Sequence, residues 1–413
     1  MLLASLGGTL EFYDFVVFGV FARDIAAALF PSASPLASLM ASFAAFAAGY
    51  LARPIGGLVL SHFGDRYGRR RVFLTSLFVM SAATLGMGLV PTYAQAGATA
   101  SLLMVTLRLL QGFCLGGELP GALTYVVETA PRVAPLVCGV VFACVTMGVA
   151  VATSVSLALR SWLDPALVPT LGWRLAFVLG GLGGIVSFLL RRSLEESPEF
   201  SRLQALTSRR PFREVLQTHR AAALIGGALL AGTACFNGLY FSHLPAHLAG
   251  VLQYDPRHAV FAQTVGVCAA SLSILVTGWL GLSVAPRHLL RLGVALLVVL
   301  AYPFYAALES RAVGLTTLLV LAGVCSGFTN GAFACLLTAL FPTRLRFTGV
   351  ALVFNISFTL FSGTAPLVAT TLIRDLGTST APALLMIGCG LLALAGSLGL
   401  RRHGVYLLLD PPK

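Results

Sequence analysis

Lysine is all but missing from this chain: Lys413 stands alone beside 26 arginines. Charge of either sign is scarce, at 10% of 413 residues. A soluble protein of this length needs a polar surface. A chain that is 57% hydrophobic, with mean hydropathy +0.90, cannot build one. Catalytic and metal-binding patterns are missing as well. The sequence holds no H-E-x-x-H and no G-x-S-x-G, so no nucleophile–base spacing points to an enzyme. Its eight cysteines form no C-x-x-C and no His/Cys ligand set; they read as small buried hydrophobes, and no metal or cofactor is expected. There is no large polar segment to hold a soluble domain, and no cleavable signal peptide. The first apolar run begins almost at Met1 with no basic residue before it, which suggests a cytoplasmic tail missing from the start.

What is present is a series of apolar runs, most of 20 residues or more, separated by short joints, the pattern of transmembrane helices. Twelve are expected: roughly 3–30, 36–61, 72–90, 97–128, 134–160, 171–191, 220–248, 257–282, 286–308, 312–340, 347–374 and 378–401, called spans one to twelve below. The fold class is therefore an all-α membrane protein. The net charge of +12 would suggest nucleic acid in a soluble chain, but its distribution argues for topology instead. Eighteen arginines fall in alternate joints, six on the other side, and two, Arg53 and Arg108, inside spans. By the positive-inside rule the arginine-rich side is cytoplasmic, with both termini inside and no nucleic-acid partner. The longest polar stretch, "RRSLEESPEFSRLQALTSRRPFREVLQTHR" (191–220), divides six spans from six. The expected organisation is a first six-helix bundle over 1–191, a cytoplasmic linker over 192–219 and a second bundle over 220–413. That layout is the one used by transporters that rock two bundles about a midplane site.

Ionisable groups at membrane depth are costly, so they face a bundle interior and find partners. Here the acids are Glu11, Asp14 and Glu118, with Glu128 at an inner span end; the cations are Arg53 and Arg108. All lie in the first half. Counting at 1.5 Å per residue puts Arg53 roughly 18 Å from Asp65 and Glu118 roughly 15 Å from Glu128, so the two are level near mid-membrane. Arg108 belongs to a layer further out. In "RLLQGFCLGGELPGA", Gly112, Gly116, Gly117 and Gly121 give interleaved G-x-x-x-G spacings, readable equally as a packing seam or a substrate-facing surface. In the second half the polar candidates are neutral: Asn237, Tyr240, His243, Asn330 and Asn355.

These residues sit in recognisable strings. "LEFYDFVVFG", "RPIGGLVLSHFGDRYGRRR", "RLLQGFCLGGELPGALTYVVE", "GWRLAFVLGG", "RRSLEESPEF", "LFPTRLRFTG" and "SGTAP" occur in one order along the whole chain. The chain resembles the major facilitator superfamily, and within it the metabolite:proton symporters of bacterial proline/betaine, oxoglutarate, citrate, dicarboxylate and shikimate transport. The resemblance implies a multi-pass protein of the bacterial inner membrane that works as a monomer. Its partners would be a small-molecule substrate, a proton and the lipid bilayer. It implies a gating latch in the loop of Asp65, Arg66, Gly68, Arg69 and Arg70, with Glu128 at the same face. Two departures stand out: Ser61 replaces the usual glycine of that loop, and the matching loop "GWLGLSVAPRHLLR" has no acidic residue.

The resemblance also implies that Asp14 and Arg108 form a proton-coupling pair, with Glu11 nearby. Arg53 then offers its planar fork to a substrate carboxylate. Glu118 balances that charge or takes the cation of a zwitterion. From the second half, Tyr240, Asn330 and Asn355 are candidates for further substrate contacts, although each alone reads more readily as an interhelical hydrogen bond. Alternatives on the same scaffold are a proton-antiport exporter and a non-transporting membrane sensor.

Overall fold

The computed structural model describes residues 9, 12–13, 16–67, 69–191 and 211–403, with side chains described for these except 61–73, 190–191, 211, 344 and 401–403. The described secondary structure is helical throughout, as a lipid-facing backbone requires, because each N–H and C=O is then satisfied within its own segment. Among the described residues, ten helices are long and apolar enough to cross a membrane: Pro35–Leu60, Ala98–Thr129, Pro131–Trp162, Val168–Leu189, Arg220–Gly250, Pro256–Leu280, Pro286–Ser310, Leu315–Ala339, Leu345–Leu376 and Pro382–Leu400. They correspond to spans two, four to six and seven to twelve. Leu74–Leu89, the apolar part of span three, is shorter. Span one is described over 16–20 and Ala22–Leu29.

Within the first half, span two packs on span four and span three on spans four and six. Within the second half, span seven packs on span twelve, span eight on span ten, and span nine on spans ten and twelve. The halves meet where span five packs against spans eight and ten, span two against span eleven, and the inner segment of span four against spans ten and eleven. Of the expected linker, Pro211–Thr218 forms a helix that packs against span eleven, with Val215 fully buried. Residues 192–210 lie outside the described residues.

Glycine sets how closely spans two and four approach. A methyl group at Gly112 would run into the carbonyl of Gly49, and one at Gly116 into the carbonyl of Arg53. The interleaved glycines of span four are thus a packing seam at Gly112 and Gly116, while Gly121 looks across to the Phe347 ring of span eleven. This register puts Arg53 level with Gly116. Glu118, two residues on, lies about 3 Å deeper at 1.5 Å per residue, as the counting expected.

Three spans are interrupted near the seam between the halves. Span four breaks between Leu115 and Glu118. Span seven widens into π turns over Gly238–His243, and span eleven over Thr359–Gly363. Such widenings frequently mark functional positions in helices. The two bulges lie against each other, Gly238 on the Ser362 carbonyl, and Gly363 is covered by the Tyr50 ring of span two.

Candidate transport site

Arg53 is fully buried in span two, and its surroundings come from both halves. Its guanidinium carbon lies 5.1 Å from the ring centre of Tyr50, one turn away on the same helix, and 5.7 Å from that of Phe354 in span eleven. Phe354 stacks on Phe358 at 4.2 Å, their spacing of four putting both rings on one helix face. Phe333 of span ten lies 6.4 Å from Phe354 and 6.3 Å from Phe358, and meets Phe142 of span five edge-on at 4.5 Å. Two rings, Tyr50 and Phe354, thus lie beside the guanidinium, and Phe358, Phe333 and Phe142 continue the aromatic cluster through spans eleven, ten and five; all five are at most 5% exposed. Aromatic faces carry negative potential, so a desolvated cation beside them gains about 2 kcal/mol.

Hydrogen bonds tie the same region across the halves. Asn355 Nδ2 donates to the Gly116 carbonyl at 2.6 Å, so a span-eleven amide satisfies a carbonyl freed at the break in span four. The Asn355 Oδ1 atom is buried without a hydrogen-bond partner. Thr359 donates to the Tyr50 carbonyl at 2.7 Å, and the hydroxyls of Tyr50 and Ser362 lie 3.3 Å apart. Glu118 is half-buried at the start of the inner segment of span four.

Other expected site residues lie elsewhere. Tyr240 donates to the Leu319 carbonyl at 2.6 Å and stacks on Phe236, inside the second half. Asn330 exchanges hydrogen bonds with Asn237, at 3.0 and 3.2 Å, which ties span ten to span seven. The polar atoms of these two tie neighbouring helices together within the second half. Arg108 lies in the first half, its guanidinium 4.5 Å from the Phe18 ring and 5.2 Å from that of Phe46. It donates to Gln111 at 2.6 Å, and Gln111 donates to Thr84 at 2.8 Å. Glu11, Asp14 and Gly68 lie outside the described residues, as do the side chains of Asp65, Arg66, Arg69 and Arg70.

The halves touch at both ends of the seam. At the arginine-rich end, Glu128 of span four and Arg346 of span eleven form an ion pair at 3.0 Å, and Arg346 also donates to the Thr338 carbonyl at 3.2 Å. At the opposite end, Ala22, Leu39, Phe43 and Ala246 form an apolar plug with Leu367 packed against it. Above it Arg23 donates to the Ala249 carbonyl at 3.1 Å. Sequence reasoning missed the ring cluster and Arg346. Two signals were available: the four-residue spacing of Phe354 and Phe358, and the arginine in "LFPTRLRFTG".

Bundles of spans that meet at a buried polar centre, and touch again at either end of the seam, fit the architecture of an alternating-access carrier. The chain belongs to the Major Facilitator Superfamily, whose family model matches residues 4–366. It is 30% identical over 400 residues to the proline/betaine transporter of Salmonella typhimurium, covering 90% of this chain and 77% of that one. It is 32% identical to the citrate-proton symporter of Klebsiella pneumoniae, over 95% of this chain and 90% of that one. The chain is accordingly a secondary transporter of the metabolite:proton symporter family, not an enzyme. Among solved structures a D-xylose-proton symporter has the same fold, with a TM-score of 0.75 at 17% identity over 100% of this chain and 98% of that one.

Proposed function

We propose that this protein imports a small zwitterion carrying one carboxylate, of the proline or betaine kind, together with a proton. The observation that carries the reading is Arg53 among rings contributed by both halves. The planar guanidinium takes the carboxylate in a two-pronged contact. The aromatic faces take the ammonium or methylammonium end. Glu118, half-buried at nearly the same depth, adds negative charge on the cation's side. A tricarboxylate fits less well, because its further carboxylates would meet ring faces whose negative potential repels anions.

In this reading the arginine-rich face is cytoplasmic and the membrane is the bacterial inner membrane. The two halves, 1–191 and 220–413, rock about Arg53, with the Glu128–Arg346 pair closing the inner end and the Leu39–Phe43–Ala246 plug the outer one. The loop of Asp65, Arg66, Gly68, Arg69 and Arg70 acts with Glu128 as the inner latch. Proton coupling is carried by Asp14, with Glu11 nearby, held while charged by Arg108. Stacking on Phe18 and Phe46 fixes the guanidinium in place to receive it.

The test is uptake in proteoliposomes. Accumulation of labelled proline or glycine betaine should rise with an inward acid gradient and collapse with a protonophore. Arg53→Lys, which keeps the charge and loses the fork, should weaken apparent affinity about tenfold or more, the equivalent of one charge-assisted hydrogen bond. Full uptake by that variant would refute the two-pronged contact, and uptake of citrate alone would refute the substrate class.

A further inference from the structure

The outer end of span seven contains a second set of ionisable groups that the transport site does not use. His243 closes the π-turn segment and His247 follows one turn later, so both rings lie on one helix face. Their ring centres are 5.2 Å apart, with the ring planes inclined by 30°. His243 faces the Phe43 ring of span two at 5.8 Å, across the seam between the halves. His247 meets the Tyr305 ring of span nine edge-on at 5.7 Å. Each histidine is 1% exposed.

What is unusual is their hydrogen bonding. Nδ1 of His243 and both nitrogens of His247 are buried with no hydrogen-bond partner among the described residues. On the facing stretch of span two the hydroxyls of Ser38 and Ser42 are buried and unpartnered too. Each such atom costs about 1–3 kcal/mol relative to a hydrated one, and native interiors rarely tolerate several together. The groups flank the plug itself, whose members Leu39, Phe43 and Ala246 alternate with them along spans two and seven.

We propose that His243 and His247 form a proton-binding site in the outer gate, neutral when the gate is closed and protonated as it opens. This rests on the symport reading above and assigns the proton a second stop on its path. A neutral pair can be sealed behind the plug at the cost of unmade hydrogen bonds. A charged pair cannot, because an imidazolium left without water or a counter-charge is penalised far more heavily. When the plug separates, water reaches the three free nitrogens and the two hydroxyls, and an imidazole accepts a proton readily at the acidity outside a cell.

Among the described residues, the ionisable groups on the surrounding elements offer no competing explanation. On span one, Arg23 is bonded to the Ala249 carbonyl and Asp24 to Arg160 at 2.9 Å. On span eleven, Arg374 and Asp375 pair with each other at 2.7 Å. At the start of span eight, Asp255 caps the His258 amide, and Asp255, Arg257 and His258 are exposed. On span nine, Tyr305 offers only a phenol and Glu309 is exposed. On span seven itself, Cys235 is buried on the same helix.

The experiment reads the gate directly, without substrate or gradient. A cysteine placed at Leu39 is labelled from outside whole cells by a membrane-impermeant maleimide. The background carries Cys268→Ser, since Cys268 is the exposed one of the eight cysteines. Rates are divided by those of Ala166→Cys, in an exposed joint at the same end, which removes the reagent's own pH dependence. Labelling of Ala166→Cys from outside also checks the orientation separately.

The normalised rate should rise several-fold from pH 8 to pH 5.5, within the limit of about tenfold per pH unit that one linked proton allows. In His243→Phe/His247→Phe, which keeps the ring contacts, the slope should vanish. If the double variant does not reach the membrane, the single variants His243→Phe and His247→Phe are read in the same way, each with a reduced slope. A slope unchanged in the variants that reach the membrane overturns the proposal, as does a flat profile in the parent. Failure of proton-driven uptake with the slope intact would count against the symport reading alone.

Discussion

Opening Glu128 from Arg346 should unlock the arginine-rich end of the transporter. The pair joins the last turn of span four to the first turns of span eleven, so it is made only when the halves are together there. Its side chains are 5% exposed at Arg346 and 23% at Glu128, between a surface pair worth under 1 kcal/mol and a sealed one whose rupture costs several. In Glu128→Gln the guanidinium keeps its bond to the Thr338 carbonyl, so Arg346 is not left wholly unpaired. The closed state should therefore lose about 1–2 kcal/mol, shifting the population toward the open arrangement about 5- to 30-fold. Spin labels at Arg132 and Thr343, both exposed at that end, would report the change as a new long component in the distance distribution. The charge-swapped pair Glu128→Arg with Arg346→Glu should recover the parent distribution in part. A distribution unmoved by Glu128→Gln would show that the ion pair does not hold this end closed.

Three more outcomes follow from the packing. Gly112→Ala and Gly116→Ala should each lower the melting temperature of the purified protein, since the added methyl meets span-two backbone and overpacking costs about 1–3 kcal/mol. Gly117→Ala, with nothing within 4 Å of the added atom, should be tolerated; an equal loss there would refute the seam. Phe354→Leu should weaken uptake of glycine betaine by about threefold to tenfold, the weight of one cation–π contact, while expression and melting temperature stay close to the parent's. Asn330→Leu should destabilise the protein by about 1–3 kcal/mol, because Asn237 is left without its partner, yet leave apparent affinity unchanged in the folded fraction. A selective loss of affinity would return Asn330 to the substrate contacts.

The helical architecture was legible because lipid imposes it. Long apolar runs must satisfy their own backbone, and arginine-rich joints punctuate them at regular intervals. The depth of Arg53 against Glu118 was legible for the same reason: helical rise converts residue counts into distance, and the Gly116 register bears this out. Partner choice was not legible. Asn330 and Asn355 look alike as lone amides in apolar spans. One closes a pair within the second half, while the other reaches across the seam to the Gly116 carbonyl. What separates them is which face of the helix meets the other half, and near-uniform hydrophobicity around spans ten and eleven erases the periodicity that would tell.

Aromatic residues posed the same problem more sharply. With 27 phenylalanines in the chain, no single ring announces a role. The cluster beside Arg53 is assembled from spans five, ten and eleven as well as span two, separated by up to about 300 residues of sequence. Only the folded arrangement brings these rings together, two of them against Arg53. This also explains why the charged residues pointed to the first half alone. In the proposed site the second half contributes ring faces, which hydropathy counts as ordinary core although they attract a cation as a weak anion would. Exchanging Phe354 for leucine thus tests the asymmetry itself: hydropathy is conserved, and the quadrupole is what is removed.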